Sequence, residues 1–176
     1  MTWPLRYRCV RGSADPIPAP FEAGGAPSLG PDLLMEVRDG PTGARELMNE
    51  DLGTEYRSIV QYTQHVAALK GLEVQSLLTE LRQHLSQELN HAIILAEQID
   101  FLGGVPTVEV PAVPSETDTQ RALELDLELE ERQLRRYRER IEQAEQLSLP
   151  DVAEALRPLL EQTQEHVRDL RSALRR

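Results

Sequence analysis

A glutamate stands where the pattern calls for a leucine. Between residues 78 and 102, Leu78, Leu81, Leu85, Glu88, Ala92, Leu95, Ile99 and Leu102 alternate steps of three and four. That spacing lays one stripe of side chains along the buried seam of a bundle helix. Glu88 lies in the middle of the stripe, where an ionised carboxylate costs several kcal/mol unless it is paired or bound to metal. His91 follows three residues later and shares its face of the helix. A chain that keeps a carboxylate in such a seam needs other helices to complete its surroundings.

Three further seams are present. The first runs Leu52, Glu55, Ile59, Tyr62, Val66 and Leu69. The third runs Leu123, Leu127, Glu130, Leu134, Tyr137, Ile141 and Ala144, and the fourth Val152, Leu156, Leu159, Thr163, His166, Leu170 and Leu174. Helices are therefore predicted over about 44–69, 73–102, 115–146 and 150–174. Gly71 ends the first as a C′ glycine, and Gly103, Gly104 and Pro106 stop the second. Ser115 with Asp118 resembles a capping box opening the third, and Pro150 suits the first turn of the fourth. The Val- and Pro-rich stretch 103–114 is too short for a sheet of its own and reads as an extended link. The expectation is an all-α four-helix bundle over 44–176, with short first and last turns and one long crossover.

Residues 1–43 carry Pro4, Pro16, Pro18, Pro20, Pro27, Pro31 and Pro41 with no sustained period, and read as an irregular extension with at most one short turn near 32–37. Trp3, Tyr7 and Phe21 could anchor it to the body; alternatively, Met35 is the true start.

The 176 residues suit one domain with a sizeable core. The sequence has no apolar run of transmembrane length and no leader pattern, and its single Cys9 cannot form an internal disulfide. A cytoplasmic protein is expected. Net charge is −11, and residues 1–45 balance five Arg against five acids, so the excess lies in the helical part. An acidic body argues against a broad nucleic-acid surface and is compatible with attracting cations.

The two hairpins echo one another. Glu88 follows Glu55 by 33 residues (88 − 55), and Thr163 follows Glu130 by the same interval (163 − 130). His91 and His166 each come three residues after Glu88 and Thr163. One Glu from each of two helices, with Glu-x-x-His from each of the other two, is the ligand set of a di-iron carboxylate bundle, and carboxylates with imidazoles suit iron or manganese. Glu55, Glu88, His91, Glu130 and His166 fill five of those six positions. The competing reading, core-edge acids paired with arginine, finds no Lys or Arg in the four seams.

Over about 44–174 the chain resembles bacterioferritin within the ferritin-like superfamily. The likeness is carried by Asn49 to Tyr62 with His65, by Glu88-Leu89-Asn90-His91 running into Asp100-Phe101-Leu102-Gly103-Gly104-Val105-Pro106, and by Asp126 to Glu130 and Glu165-His166. It implies that Glu55 and Glu130 are terminal ligands, Glu88 a bridge, and His91 and His166 one ligand to each iron. Tyr62 would be a nearby redox-active or hydrogen-bonding tyrosine. Fe(II) with oxygen or peroxide would be the reactants, and a homo-oligomer, dimer or larger shell, is implied.

Three departures qualify the resemblance. Thr163 replaces the family's second bridging glutamate; Gln162 could offer only a neutral oxygen, and Glu161 and Glu165 point away. Leu89 stands where haem-binding members carry the axial methionine, so no haem is expected. Ten residues follow His166, too few for the family's fifth helix, so a cage does not follow from the likeness. Tyr137 is expected as a core tyrosine with a satisfied hydroxyl, His65 and His84 as structural or surface histidines, and the Arg-rich run 132–140 as a solvated outer face. The leading expectation is a ferroxidase-type iron-storage or detoxification protein. Its rival is a non-catalytic subunit or partner-binding bundle with a degenerate site, and a DNA-protecting miniferritin ranks last.

Overall fold

The computed structural model describes residues 40–71 and 74–175, Pro41 in backbone only. Residues 1–39 of the expected extension, with the turn expected near 32–37, the expected aromatic anchors and Cys9, therefore lie outside the described residues. Four helices follow one another: α1 Pro41–Ala68, α2 Gln75–Phe101, α3 Thr119–Gln146 and α4 Pro150–Ala173.

Their ends show where sequence signals were right and where a neighbour took over. The first helix starts at Pro41, not 44, because proline at N1 lacks only an N–H that has no partner in a first turn anyway. The expected start of α2 at Glu73 falls on residues not described. Its other end is a Schellman turn: Gly104 N–H donates to Ile99 O and Gly103 N–H to Asp100 O, with Gly103 at φ +74°. The same turn closes α3, with Ser148 at φ +58° in the place a glycine would take. Ser115 does not open α3. Asp118 is its N-cap, accepting from Arg121 N–H at 2.9 Å, while Glu116 accepts from Thr117 and Asp118 N–H.

Each helix packs on two others: α1 on α2 and α3, and α4 on α2 and α3. Hydrogen-bonded partners on α3 fall in number as those on α1 rise, so these two run antiparallel. Likewise α2 opposes α4. The second and third helices are therefore parallel, and the link between them must travel the length of the bundle. Two amides of α1 hold it there. Asn49 donates to Val105 O (3.2 Å) and accepts from Thr107 N–H (2.7 Å), and Gln64 donates to Glu116 O (2.6 Å) and accepts from Glu116 N–H (3.3 Å).

The core is divided. One apolar cluster gathers Leu52, Leu95, Ile99, Ile141 and Leu156; the other gathers Leu69, Leu78, Leu81, Leu123 and Leu170. Between them lies a buried polar layer, and the five expected ligands belong to it. Among the described residues no helix is long and apolar enough to cross a membrane.

Candidate metal centre

Every helix sends a candidate ligand inward. Glu55 comes from α1, Glu88 and His91 from α2, Glu130 from α3 and His166 from α4, all at most 1% exposed. They form two groups with a shared member: Glu55, Glu88 and His91, and Glu88, Glu130 and His166. His91 Nδ1 lies 3.7 Å from Glu55 Oε2 and 3.5 Å from Glu88 Oε1. His166 Nδ1 lies 3.2 Å from Glu88 Oε1 and 3.3 Å from Glu130 Oε2.

The first group passes a strict test of fit. Glu55 Oε2, Glu88 Oε1 and His91 Nδ1 face one another, are fully buried, and have no hydrogen-bond partner. Stranded buried polar atoms are costly and rare. Three of them converging, two carboxylate oxygens and an imidazole nitrogen, make the donor set of a transition-metal ion.

Electrostatics agree. Burial, with the charges of Glu130 and Glu55, pushes the Glu88 carboxyl well above its ordinary range. Burial also opposes ionisation of Glu55, but His91, Glu88 and the Tyr137 hydroxyl outweigh it and hold its pKa low. Burial would lower the pKa of His91, yet Glu55 and Glu88 raise it to about 9. Metal-free, the site therefore carries a proton on His91 that a cation would displace.

The ligands are held from behind by a set of side chains that obeys one rule: its members pair across the bundle at a constant offset of 75 residues (130 − 55 and 163 − 88 alike). Tyr62 donates to Glu130 Oε1 at 2.6 Å, and its counterpart Tyr137 donates to Glu55 Oε1. Gln162 Oε1 accepts from His91 Nε2 at 2.8 Å, and its counterpart Gln87 accepts from His166 Nε2 at 2.9 Å. Each glutamine thus fixes the tautomer that leaves Nδ1 for a ligand role. Farther out, Asp51 accepts from Arg136 and Arg140, and Asp126 from Gln61, with His65 Nδ1 at 3.0 Å.

The structure brings together the five candidate ligands and Tyr62, and Tyr137 is a core tyrosine with its hydroxyl satisfied; other sequence expectations are corrected. Thr163 is buried among them, but its hydroxyl donates to Leu159 O at 2.8 Å within its own helix. Gln162 does not fill the gap, because it is committed to His91. The run 132–140 is not a uniformly solvated face: Arg140 is 8% exposed and locked to Asp51, with Arg136 half-buried beside it. His65 and His84 are structural, not surface, residues; His84 stacks on His166 with ring centroids 4.0 Å apart. Sequence reasoning missed Gln87 and Gln133. The 75-residue echo could have pointed to Gln87, since Gln precedes both Glu88 and Thr163. Nothing marked Gln133.

The chain matches the family model of the ferritin-like domain over residues 45–176. No curated protein matches it. Among solved structures it is similar to one from Bacillus anthracis described as a ferritin-like, diiron-carboxylate protein. Identity is 31%, the match covers 76% of this chain and 96% of that one, and the TM-score is 0.73. The fold, the carboxylate–histidine groups at its centre and these likenesses agree, and the chain belongs to the ferritin-like family of di-iron carboxylate bundles.

Proposed function

We propose that this protein binds iron inside the bundle and oxidises Fe(II), serving iron storage or detoxification in the manner of bacterioferritin. The observation that carries the reading is the trio of partnerless buried atoms, Glu55 Oε2, Glu88 Oε1 and His91 Nδ1. Glu130 with His166 forms the second position, and manganese suits the same donors. Bound there, two Fe(II) ions would supply one electron each to peroxide or dioxygen. The chain's own part is to bind and orient the ions, to exclude water, and to take up charge. Tyr137 and Tyr62 hold the terminal glutamates by their outer oxygens. Burial keeps both phenols protonated, which maintains these bonds. Tyr62, which donates a hydrogen bond to Glu130 Oε1, is assigned by the resemblance a redox-active or hydrogen-bonding role.

The rival role, a subunit that folds with a working partner, is favoured by Thr163, whose hydroxyl is turned away to Leu159 O. Association is supported by the exposed apolar side chains Val60, Leu89 and Ile93 on α1 and α2. The lone Cys9 favours the cytoplasm, the acidic body a role without nucleic acid, and Leu89 in place of an axial methionine a role without haem. Aerobic Fe(II) oxidation by metal-free protein, followed by ultraviolet absorbance, separates the two roles. Oxidation above the protein-free rate and abolished by Glu88→Ala supports the ferroxidase. Activity seen only in Thr163→Glu supports the partner subunit.

A further inference from the structure

We infer that Gln133 sets how strongly the second metal ion is held, because it occupies the oxygen of Glu88 that a second ion would use. The inference rests on the metal reading above. Gln133 sits on α3, one turn past Glu130, and is 3% exposed. Its Nε2 donates to Glu55 Oε1 at 2.6 Å and to Glu88 Oε2 at 3.2 Å, and its Oε1 accepts from Ser58 Oγ at 3.2 Å. The Ser58 bond fixes the amide with its N–H side toward the carboxylates.

The consequence falls on Glu88. A bridging carboxylate lends one oxygen to each ion, yet here both positions converge on Oε1. That atom is 3.5 Å from His91 Nδ1 and 3.2 Å from His166 Nδ1, while Oε2 belongs to Gln133. Thr163 removes the only other bridge. Two divalent ions would then share one oxygen, with three carboxylates against four positive charges. The position of Glu55, Glu88 and His91 fills first, because its facing atoms have no bonds to break. Filling the other breaks the contact of His166 with Glu130 and sets the second ion against Gln133 for Glu88. The lock is one-sided, since the counterpart of Gln133 at the 75-residue offset is Ser58, whose short side chain bonds Gln133 and Thr54 O instead.

The test is anaerobic calorimetric titration of the metal-free full chain with Co(II). Wild type is expected to bind one ion with an affinity at least about tenfold above that of the second, a gap of roughly 1.4 kcal/mol. His91→Ala should remove the tight phase and His166→Ala the weak one. Gln133→Leu should raise the affinity of the second ion about tenfold and bring the two together. Ser58→Ala, which frees the amide to turn its carbonyl inward, should act in the same direction and serves if Gln133→Leu does not fold. Equal affinities in wild type, or an unchanged ratio in the folded Gln133 or Ser58 variant, would overturn the inference. Absence of Co(II) binding in wild type would overturn the metal reading beneath it.

Discussion

Between pH 7 and 5 the metal-free protein is expected to lose part of the stability that His84 contributes. This ring is 3% exposed, stacks on His166, and leaves its Nδ1 without a partner. Its Nε2 stands 3.6 Å from Asp169 Oδ2, too far for a good hydrogen bond. Burial first, and the charge of His166 second, hold its pKa at about 3 against an ordinary 6.5. The folded state therefore binds this proton less readily than the unfolded chain. The resulting stability is fully present above pH 6.5 and is lost as pH falls toward 3. At about 1.4 kcal/mol per pH unit, the loss is about 2 kcal/mol at pH 5 and approaches about 5 kcal/mol near pH 3. Urea unfolding with chelator at pH 7.5, 6 and 5 measures it. His84→Leu should begin less stable, having lost the stacked ring, but its stability should fall by about 2 kcal/mol less over the interval. Parallel curves for the two proteins would refute the reasoning, whatever their absolute values.

Other outcomes follow from the same geometry. Metal binding at pH 7 should release the proton that His91 holds in the metal-free site. Titration in buffers of different ionisation enthalpy detects it, and affinity should climb until His91 has titrated near pH 9. Asp51→Asn strands the buried Arg140 charge and should cost about 3 kcal/mol. Asp126→Asn, which keeps an oxygen to accept from Gln61, should cost only about 1 kcal/mol by the same denaturation assay. Ser148→Gly should stabilise by about 1 kcal/mol and raise the thermal midpoint, because glycine adopts the left-handed turn without strain.

The bundle was legible because its four seams repeat at helical spacing, and the ligands because Glu and His interrupt those seams where leucine would pack. Legibility failed at the neighbouring stripe. Asp51, Ser58, Gln61 and His65 on α1 face Asp126, Gln133 and Arg140 on α3, all buried. A polar stripe beside an apolar seam looks the same in sequence whether it meets water or another polar stripe. Only the 75-residue correspondence of Asp51 with Asp126 signalled that the two would meet. Gln133 breaks that correspondence, its counterpart being Ser58, so no periodic argument could reach it. Ser115 and Asp118 are both cap formers, and the choice between them was made by Glu116 folding back on its own backbone.

Crystals grown with Mn(II) or anaerobic Fe(II), measured for anomalous scattering, show whether the buried carboxylates hold metal. A strong peak is expected within bonding distance of Glu55 Oε2, Glu88 Oε1 and His91 Nδ1, and a weaker one beside Glu130 and His166. A bundle interior without anomalous density at saturating metal, its carboxylates bonded only to one another and to protein donors, would contradict the metal reading.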